Sequence, residues 1–365
     1  MTERDFIMQM KPWIGDEERQ ALNSYMQEDG FLTEFKNTKK FEEAIEEFTG
    51  SKHCIVVNNG TLSLTLAALA LGIKPGDEVI VPNFTMVATP NSITMIGAEP
   101  VFVDVEPETL CIDLDQIKQS LTSKTKAIML VSANGRQPKT NLKNYIEFAK
   151  DNNLKIIEDA AQSLGSYYDD GTHIGLKGEI GSFSFSMPKI ITTGQGGALV
   201  TNNEKLANKL RKLKDFGRTA GGSDVHDSIG YNSKFTEMQA VIGLEQIKKL
   251  DFRIERKKEI WKRYRDNLLA TDQISLFNHN LDLTAPWFID SLCKDRENLI
   301  AFLKKSSIGT RVMYPPLNKQ ECYRVKGDFP ISEDVGERGL WLPSYTQLSD
   351  EDIDYISDQI IKFYS

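Results

Sequence analysis

The chain has 365 residues, with 44 Lys and Arg against 52 Asp and Glu, so its formal net charge is -8. Hydrophobic residues make up 40% and charged residues 26%, which is typical of a soluble globular protein. The acidic balance argues against nucleic acid or an anionic membrane as a partner recruited by charge. Because the chain exceeds the roughly 250–300 residues at which one hydrophobic core stops growing, two domains are predicted.

The N-terminal segment, Met1 to Lys11, carries charges where a signal peptide needs an apolar run, so the protein is predicted to be cytoplasmic. Two uncharged stretches, Cys54 to Ile73 and Val79 to Ala98, are about as long as a membrane span. Turn residues interrupt both stretches, so no membrane segment is expected. Four cysteines are too few for a disulfide scaffold and show no metal-like spacing, so no metal site is predicted.

Short β-rich runs alternate with helical stretches through the first two thirds of the chain. Several of these runs are apolar without alternation, which suits strands that helices cover on both faces. The pattern predicts an α/β domain with a mostly parallel sheet. The predicted strands are Ile55–Val57, Glu78–Val81, Val101–Val105, Ala127–Ser132, Lys155–Glu158, Ser182–Ser186 and Ala198–Thr201, and the predicted helices are Leu62–Leu71, Leu114–Leu121, Leu142–Asn152 and Lys205–Lys214.

The pattern changes after residue 235. The segment Phe235–Leu269 has no Pro and a single Gly, and it predicts one long helix or two helices end to end. From Ile274 onward, short strands and helices return in a different order, which indicates a smaller second domain. We therefore assign residues 1–235 to the N-terminal segment and large domain, and residues 236–365 to the connecting helix and small domain.

Three motifs carry candidate chemistry, and the first is the turn Asn58-Asn59-Gly60-Thr61. An apolar strand leads into it and a Leu- and Ala-rich helix follows, so unpaired N–H groups face outward at a helix N-terminus, where an anion is favoured. This turn is either a phosphate site or a plain N-cap, since a lone glycine motif carries little information.

The second motif is the end of the strand Lys155–Glu158, which runs into Asp159. A carboxylate at the C-terminal edge of an α/β sheet lies where such sheets bind ligands. An ionised Asp at this buried position requires a cationic partner. A protonated pyridine nitrogen is one such partner, and a structural Arg or a helix cap is the other interpretation.

The third motif is Lys189, which follows an alternating Ser/Phe strand and precedes Gly194-Gln195-Gly196-Gly197. No other charged residue lies between Glu179 and Glu204. Desolvation would favour the neutral amine, the form that attacks an aldehyde. The alternative is a surface lysine whose stem packs along apolar neighbours.

Together the three motifs match the requirements of pyridoxal phosphate, which needs a helix N-terminus for its phosphate, an anion for its ring nitrogen and an amine for its aldehyde. A generic Rossmann protein that binds a dinucleotide is disfavoured, because no Gly-x-Gly-x-x-Gly follows the first strand.

The sequence resembles the DegT/DnrJ/EryC1/StrS family of sugar aminotransferases, within fold type I of the pyridoxal phosphate enzymes. The resemblance covers nearly the whole chain, from Phe41-Glu42 through Leu342-Pro343-Ser344. It implies a large domain with a mostly parallel central sheet and a smaller C-terminal α/β domain. The matching pieces include Asn59-Gly60-Thr61, Gly76–Pro82, Gly97–Asp104, Glu158-Asp159-Ala160-Ala161-Gln162, Phe183-Ser184-Phe185 and Gly230-Tyr231-Asn232.

The resemblance also implies roles for individual residues. Lys189 would form the Schiff base with the cofactor and then shuttle protons, and Asp159 would keep the pyridine nitrogen protonated. Gln162 would lie against the cofactor near its phenolic oxygen.

For the phosphate, the resemblance implies the amides of Gly60 and Thr61 and the hydroxyl of Ser184. In this family the Asn of the Gly-Tyr-Asn turn reaches the phosphate from the neighbouring subunit. Asn232 stands at that position, so the resemblance implies a homodimer with a shared active site.

The chain departs from the family pattern at several positions. Met86 stands where an aromatic ring usually stacks on the cofactor, and its thioether can still pack on a π-face. Ser132-Ala133-Asn134-Gly135 replaces a His-x-x-Gly segment, and Asn318 replaces the His of a Pro-x-His pattern. Gln195 replaces a Glu.

Lys189 favours transamination, because relatives that act as 3-dehydratases carry His at the Schiff-base position. The segment Phe84–Thr89 looks more like members that aminate C4 of nucleotide-linked 4-keto-6-deoxyhexoses, the perosamine-forming ones among them. Five residues lie in segments that contact substrate in relatives, and Arg is well suited to a nucleotide diphosphate. The alternative role for each is a surface charge or a helix cap. These residues are Arg218, His226, Lys234, Arg311 and Tyr314.

The leading hypothesis is a ping-pong aminotransferase that moves an amine from glutamate to a nucleotide-linked keto sugar. One alternative is a pyridoxal phosphate-binding sensor or scaffold without turnover, to which Met86 and Ser132 give some weight. Another is a 3-aminotransferase acting on a nucleotide-linked 3-keto sugar. A dehydratase or racemase on the same fold is disfavoured by the whole-chain match.

Overall fold

The computed structural model describes residues 4–28 and 30–365 of the chain. Its largest element is a seven-stranded sheet with the strand order β1-β7-β6-β5-β4-β2-β3. These strands are β1 (His53–Val57), β2 (Glu78–Pro82), β3 (Glu99–Val103), β4 (Thr125–Val131), β5 (Lys155–Asp159), β6 (Ile180–Ser184) and β7 (Gly197–Thr201).

The direction of the strands decides where a ligand site can form. Strand β7 is antiparallel to both of its neighbours, β1 and β6, whereas the other pairings in this sheet are parallel. The carboxyl ends of β1, β2, β4, β5 and β6 therefore meet at one edge. The predicted α/β fold with a mostly parallel sheet is confirmed, and no strand boundary differs from the prediction by more than two residues.

Helices cover the sheet, which explains why several of its strands are apolar without alternation. Helix α3 fills the space against β6 and β7, and seven of its eleven residues are buried. The four predicted helices are present, together with helices α1, α2 and α4, which the sequence pattern did not predict. These helices are α1 (Asp16–Gln27), α2 (Lys36–Thr49), α3 (Gly60–Ala70), α4 (Ala88–Thr94), α5 (Leu114–Gln119), α6 (Leu142–Asp151) and α7 (Glu204–Lys214).

The breaker-free segment after residue 235 forms two helices end to end, α8 (Glu237–Ile247) and α9 (Leu250–Leu268). A four-stranded sheet follows, in the order β10-β11-β9-β8, and it packs on α9 and α12 through a core of its own. The domain division at residue 235 stays a prediction. The remaining elements are β8 (Ile274–Leu276), β9 (Ile289–Cys293), α10 (Arg296–Lys305), β10 (Arg311–Val312), α11 (Pro330–Arg338), β11 (Gly339–Leu342) and α12 (Asp350–Tyr364).

A buried ion pair joins the two sheets. Arg136, in the loop after β4, makes a bidentate contact with Asp290 on β9, with N–O distances of 2.7 and 3.2 Å. Bidentate geometry and a further hydrogen bond to the Thr109 carbonyl offset the cost of burying both charges. Among the described residues, no helix is both long enough and apolar enough to cross a membrane.

Candidate active site

A cleft opens at the carboxyl edge of the large sheet, and residues from both sheets line it. Its volume is about 1060 Å³, solvent at its mouth included. Nine of the thirteen residues predicted for the site contribute to its lining. They are Gly60, Thr61, Met86, Asp159, Gln162, Ser184, Lys189, Arg311 and Tyr314.

The N-terminus of α3 forms one end of the cleft. Asn59 caps the helix, because its Oδ1 accepts a hydrogen bond from the Leu62 N–H at 2.8 Å. The N–H groups of Gly60 and Thr61, the first two residues of α3, have no acceptor within the helix. A Cβ atom at position 60 would lie 3.0 Å from the Ser184 Cβ and 3.1 Å from its Oγ. Glycine therefore brings the Ser184 hydroxyl beside free N–H groups, which suits a phosphate.

Asp159 occupies the buried end of β5 and is only 6% exposed. Its carboxylate accepts hydrogen bonds from Thr89 Oγ1 at 2.8 Å and from the Ala161 N–H at 3.2 Å. Burial raises the pKa of Asp159 above its ordinary value, while these two donors and the Lys189 charge act in the opposite direction. A carboxylate held this way is suited to a cationic ring nitrogen.

Lys189 follows β6 and faces the same cleft, where its side chain is half-buried. Desolvation lowers the pKa of its amine to about 8. The Arg311 charge lowers this pKa further, whereas the Asp159 carboxylate raises it. A larger share of this amine is therefore neutral and nucleophilic at neutral pH than for an exposed lysine. Together, the helix N-terminus, the carboxylate and the amine fit the phosphate, the ring nitrogen and the aldehyde of pyridoxal phosphate.

Gln162 and Met86 line the cleft between these groups. The Gln162 Oε1 accepts a hydrogen bond from the Asn134 N–H at 2.6 Å, which commits the oxygen to the protein and leaves the amide N–H groups for a ligand. Met86 is 45% exposed, and its Sδ accepts a hydrogen bond from the Ala88 N–H at 3.0 Å. The thioether is thus anchored at the wall of the cleft.

Arg311 and Tyr314 reach the cleft from the second sheet. The Tyr314 ring packs edge-on against Trp341, with ring centroids 4.8 Å apart. Within residues 4–28 and 30–365, no carboxylate oxygen lies within 4 Å of the Arg311 guanidinium, so this cation is available to an anionic ligand. It stacks on the Trp341 ring at 5.4 Å from the centroid.

The other four predicted residues do not line the cleft of their own chain. They lie in segment 215–234, after α7, and each contacts other residues of this same segment. Lys234 Nζ binds Asp215 at 2.9 Å, Arg218 binds Asp224 at 3.2 Å, and the Nδ1 of His226 lies 3.0 Å from the Phe216 carbonyl. Asn232 pairs with Asp215 through the backbone. Roles for Asn232, Arg218, His226 and Lys234 at an active site stay predictions.

Two of the segments that depart from the family pattern, those that contain Ser132 and Asn318, make clear structural contacts. Asn134 adopts φ 55° and binds Phe288 with both side-chain atoms: Nδ2 donates to the Phe288 carbonyl at 2.7 Å and Oδ1 accepts from its N–H at 2.6 Å. Asn318 forms a similar reciprocal pair with Asn83, with distances of 2.8 and 2.9 Å. Both asparagines connect the loops at the carboxyl edge of the large sheet to the C-terminal part of the chain.

Sequence reasoning missed Trp287 and Thr89. The Trp287 ring lies 4.2 Å from the Lys189 amine, measured to the ring centroid, although 98 residues separate the two positions. The only signal in the sequence was its rarity, since the chain has four tryptophans. Thr89 gave no signal, because its role depends on the way α4 packs beside the end of β5.

Comparison with known proteins identifies the family. The model of the DegT/DnrJ/EryC1/StrS aminotransferase family matches residues 12–361. The chain belongs to this family. It is 37% identical to the GDP-perosamine synthase of Escherichia coli O157:H7 over 364 residues, which cover 99% of each chain.

Solved structures agree with this assignment. An aminotransferase of this family from Brucella abortus matches with a TM-score of 0.88 and 31% identity, over 96% of each chain. A putative sugar aminotransferase from Streptococcus pneumoniae in its PLP form matches with a TM-score of 0.89 and 27% identity, over 97% of each chain. The predicted fold, the enzyme class and the cofactor are confirmed: the protein is an aminotransferase, and pyridoxal phosphate is its cofactor.

Proposed function

We propose that the protein transfers an amino group from glutamate to C4 of a nucleotide-linked 4-keto-6-deoxyhexose, as in the formation of perosamine or viosamine. The observation that carries this proposal is the meeting of Lys189, Asp159 and the α3 N-terminus at one cleft, in a chain that matches a GDP-perosamine synthase over 99% of its length. Retention of Lys189 supports transamination rather than dehydration.

Each residue has a defined part in this proposal. Bound pyridoxal phosphate supplies an aldehyde that takes up an amine and a ring that accepts an electron pair. The Gly60 and Thr61 N–H groups and the Ser184 hydroxyl hold its phosphate, and Asp159 holds the proton on its ring nitrogen. Lys189 would provide the amine that anchors the cofactor, and the same amine would hold and move protons in the cleft.

Arg311 and Tyr314 line the cleft on the side of the second sheet, and the Arg311 charge supports an anionic substrate there. A guanidinium binds a diphosphate through two parallel hydrogen bonds. We assign these two residues to the nucleotide-linked sugar.

A homodimer completes this proposal. Residues 216–232 carry several exposed apolar side chains, of which Ile229 is 91% exposed and Val225 is 62% exposed. Exposed apolar side chains in one segment are typical of a subunit interface. We propose that this segment enters the partner's site, where Asn232 meets the phosphate and Arg218, His226 and Lys234 lie near the substrate.

The test follows the two half-reactions of the full-length, cofactor-loaded protein. L-Glutamate should convert the bound cofactor to pyridoxamine phosphate, which its absorbance reports. The enzyme in its pyridoxamine phosphate form should then aminate one sugar from a panel of GDP-, UDP- and dTDP-linked 4-keto-6-deoxyhexoses and a 3-keto isomer. Mass and NMR spectra of the aminated sugar identify the sugar and the position of the amine.

Lys189→Ala is the matched control, and it should keep the fold while losing turnover. No absorbance change with glutamate in the loaded protein would argue for a sensor or scaffold. Amination of only the 3-keto sugar would refute the C4 assignment but keep the aminotransferase.

A further inference from the structure

Trp287 lies two residues before β9, between the two sheets, and is only 4% exposed. It lines the same cleft as Lys189 and Asp159. None of the motifs that led to the site includes this residue. Trp287 belongs to the C-terminal part of the chain and contacts the Lys189 segment from there.

The first contact fixes the backbone at Lys189. The Trp287 Nε1–H donates to the Pro188 carbonyl at 2.7 Å, and the Lys189 N–H donates to the Ser186 carbonyl at 3.0 Å. The Pro188 carbonyl and the Lys189 N–H belong to one peptide group. This peptide is therefore held at both ends, and Trp287 provides one of the two hydrogen bonds.

The second contact bounds the amine itself. The Lys189 Nζ lies 4.2 Å from the centroid of the Trp287 ring, within the range of a cation–π contact. The ring occupies space on one side of the amine and so restricts the directions that the flexible lysine stem can take. A lysine stem otherwise carries about 2 kcal/mol of rotamer entropy.

Trp287 is itself held firmly, as a positioning residue must be. The buried Lys257 on α9 donates to the Trp287 carbonyl at 2.7 Å and also to the Ser344 carbonyl. Phe288 stacks on the Trp287 ring with centroids 3.9 Å apart and is bound by Asn134 through two hydrogen bonds. The same Asn134 orients Gln162 through its N–H.

We propose that Trp287 is a positioning residue for Lys189: its indole N–H fixes the Pro188–Lys189 peptide, and its ring holds the amine in the direction of the cofactor. This inference rests on the proposed role of Lys189 as the anchoring amine. It adds a residue from the second sheet to the machinery that places the amine.

Two variants separate the two contacts. Trp287→Phe keeps an aromatic face but removes the N–H, and Trp287→Leu removes both. Trp261→Phe is the matched control, because Trp261 is also buried and its Nε1–H also donates to a backbone carbonyl, that of Phe277 at 3.2 Å. Trp261 packs in the core of the second sheet, apart from the cleft.

The measurement compares covalent capture with simple binding in cofactor-free full-length protein. Pyridoxal phosphate is added, and borohydride at timed intervals fixes the portion joined to Lys189, which peptide mass spectrometry counts. Pyridoxamine phosphate has no aldehyde, so its Kd reports the phosphate and ring contacts alone. We expect Trp287→Leu to slow capture about 10-fold or more with the pyridoxamine phosphate Kd nearly unchanged, and Trp287→Phe to restore part of the rate.

Equal losses of capture and of pyridoxamine phosphate binding would indicate a general structural role and overturn the proposal, as would capture at the wild-type rate in both Trp287 variants. Absence of capture at Lys189 in the wild-type protein would instead refute the proposed function.

Hydrogen exchange of the Lys189 amide then decides the inference. The exchange should be several-fold faster in both Trp287 variants and unchanged in Trp261→Phe. Equal exchange rates in all of these proteins would refute the inference.

Discussion

Asp159 is a carboxylate at the end of a buried strand, and its ionisation depends on the few donors that reach it. Thr89 Oγ1 binds it at 2.8 Å and itself pairs with the Thr85 hydroxyl at 2.9 Å. Burial alone raises the pKa of Asp159, so the Thr89 donor favours the charged form that a protonated ring nitrogen requires. The supporting threonines therefore affect the chemistry without touching the reacting atoms.

Thr89→Val removes this donor at nearly constant volume, so the pKa of Asp159 should rise further. A carboxyl with a raised pKa takes up its proton at higher pH, and the acidic limb of the pH profile of the glutamate half-reaction should therefore move upward. Thr94→Val is the control, because Thr94 lies on the same helix and donates to the Pro90 carbonyl rather than to Asp159. An unchanged acidic limb in Thr89→Val would contradict this role.

The sequence pointed to Lys189 and Asp159 because each follows a strand that could be predicted from its composition. Asp159 was expected to meet a ligand at the carboxyl edge of the sheet and Lys189 was expected to meet an aldehyde, and the two residues line one cleft. Trp287 and Thr89 were missed for a physical reason: their contacts depend on the packing of segments that are distant along the chain. Local periodicity holds no information about such pairs.

At the scale of elements, the start of α3 and the start of β7 are packed too closely for side chains. A Cβ atom at Gly197 would lie 2.6 Å from the Asn59 carbonyl oxygen and 2.9 Å from the Gly60 nitrogen. These atoms belong to the turn that carries the proposed phosphate contacts. The absence of a side chain at position 197 therefore allows β7 to support that turn.

Gly197→Ala should displace the turn and weaken cofactor binding. Forcing a methyl group into packed backbone costs about 1–3 kcal/mol, which corresponds to a loss of about 5- to 150-fold if it falls on the cofactor Kd. Gly178→Ala is the control, because a Cβ atom there would lie 2.7 Å from the Ile156 carbonyl oxygen, so it should lower stability without touching the cleft. Equilibrium binding of pyridoxamine phosphate and thermal unfolding measure both effects, and a wild-type Kd in Gly197→Ala would show that the turn tolerates the change.

The strands of the large sheet were predicted best, because each is a short β-rich run separated from the next by helical or turn-forming residues. Helices α1, α2 and α4 and the antiparallel direction of β7 were not predicted. The antiparallel direction of β7 follows from the short connection between Ser184 and Gly197, which contains no crossover helix. Helix α4 contains Pro90, which marks a break in sequence but is tolerated in the first turn, where its missing N–H has no acceptor.

At the scale of the whole molecule, the site depends on contacts between distant parts of the chain. Asn134 and Lys257 link the loops of the large sheet and the long helix α9 to the segment before β9. Segment 215–234 instead carries its polar residues away from the cleft and exposes apolar side chains. This arrangement supports a second copy of the chain as the missing part of each site.

Mixing two inactive variants tests this shared site. In the proposed dimer, a site combines Lys189 of one subunit with the partner's Asn232. We expect Asn232→Ala to lose most of its cofactor affinity and activity, and Lys189→Ala to be inactive. After unfolding and joint refolding, half of the dimers should be mixed and contain one intact site, so about a quarter of the wild-type activity should return.

Lys189→Ala mixed with Asp159→Asn is the control, because both residues belong to the same subunit's site and the mixed dimer contains no intact site. Activity recovered in the first mixture and absent in the control would place Asn232 across the interface. Only a mixed dimer can combine an unsubstituted Lys189 and an unsubstituted Asn232 in one site. No recovery in either mixture, with a mixed dimer detected by native mass spectrometry, would show that each chain builds its site alone. A monomeric mass at working concentration would refute the dimer directly.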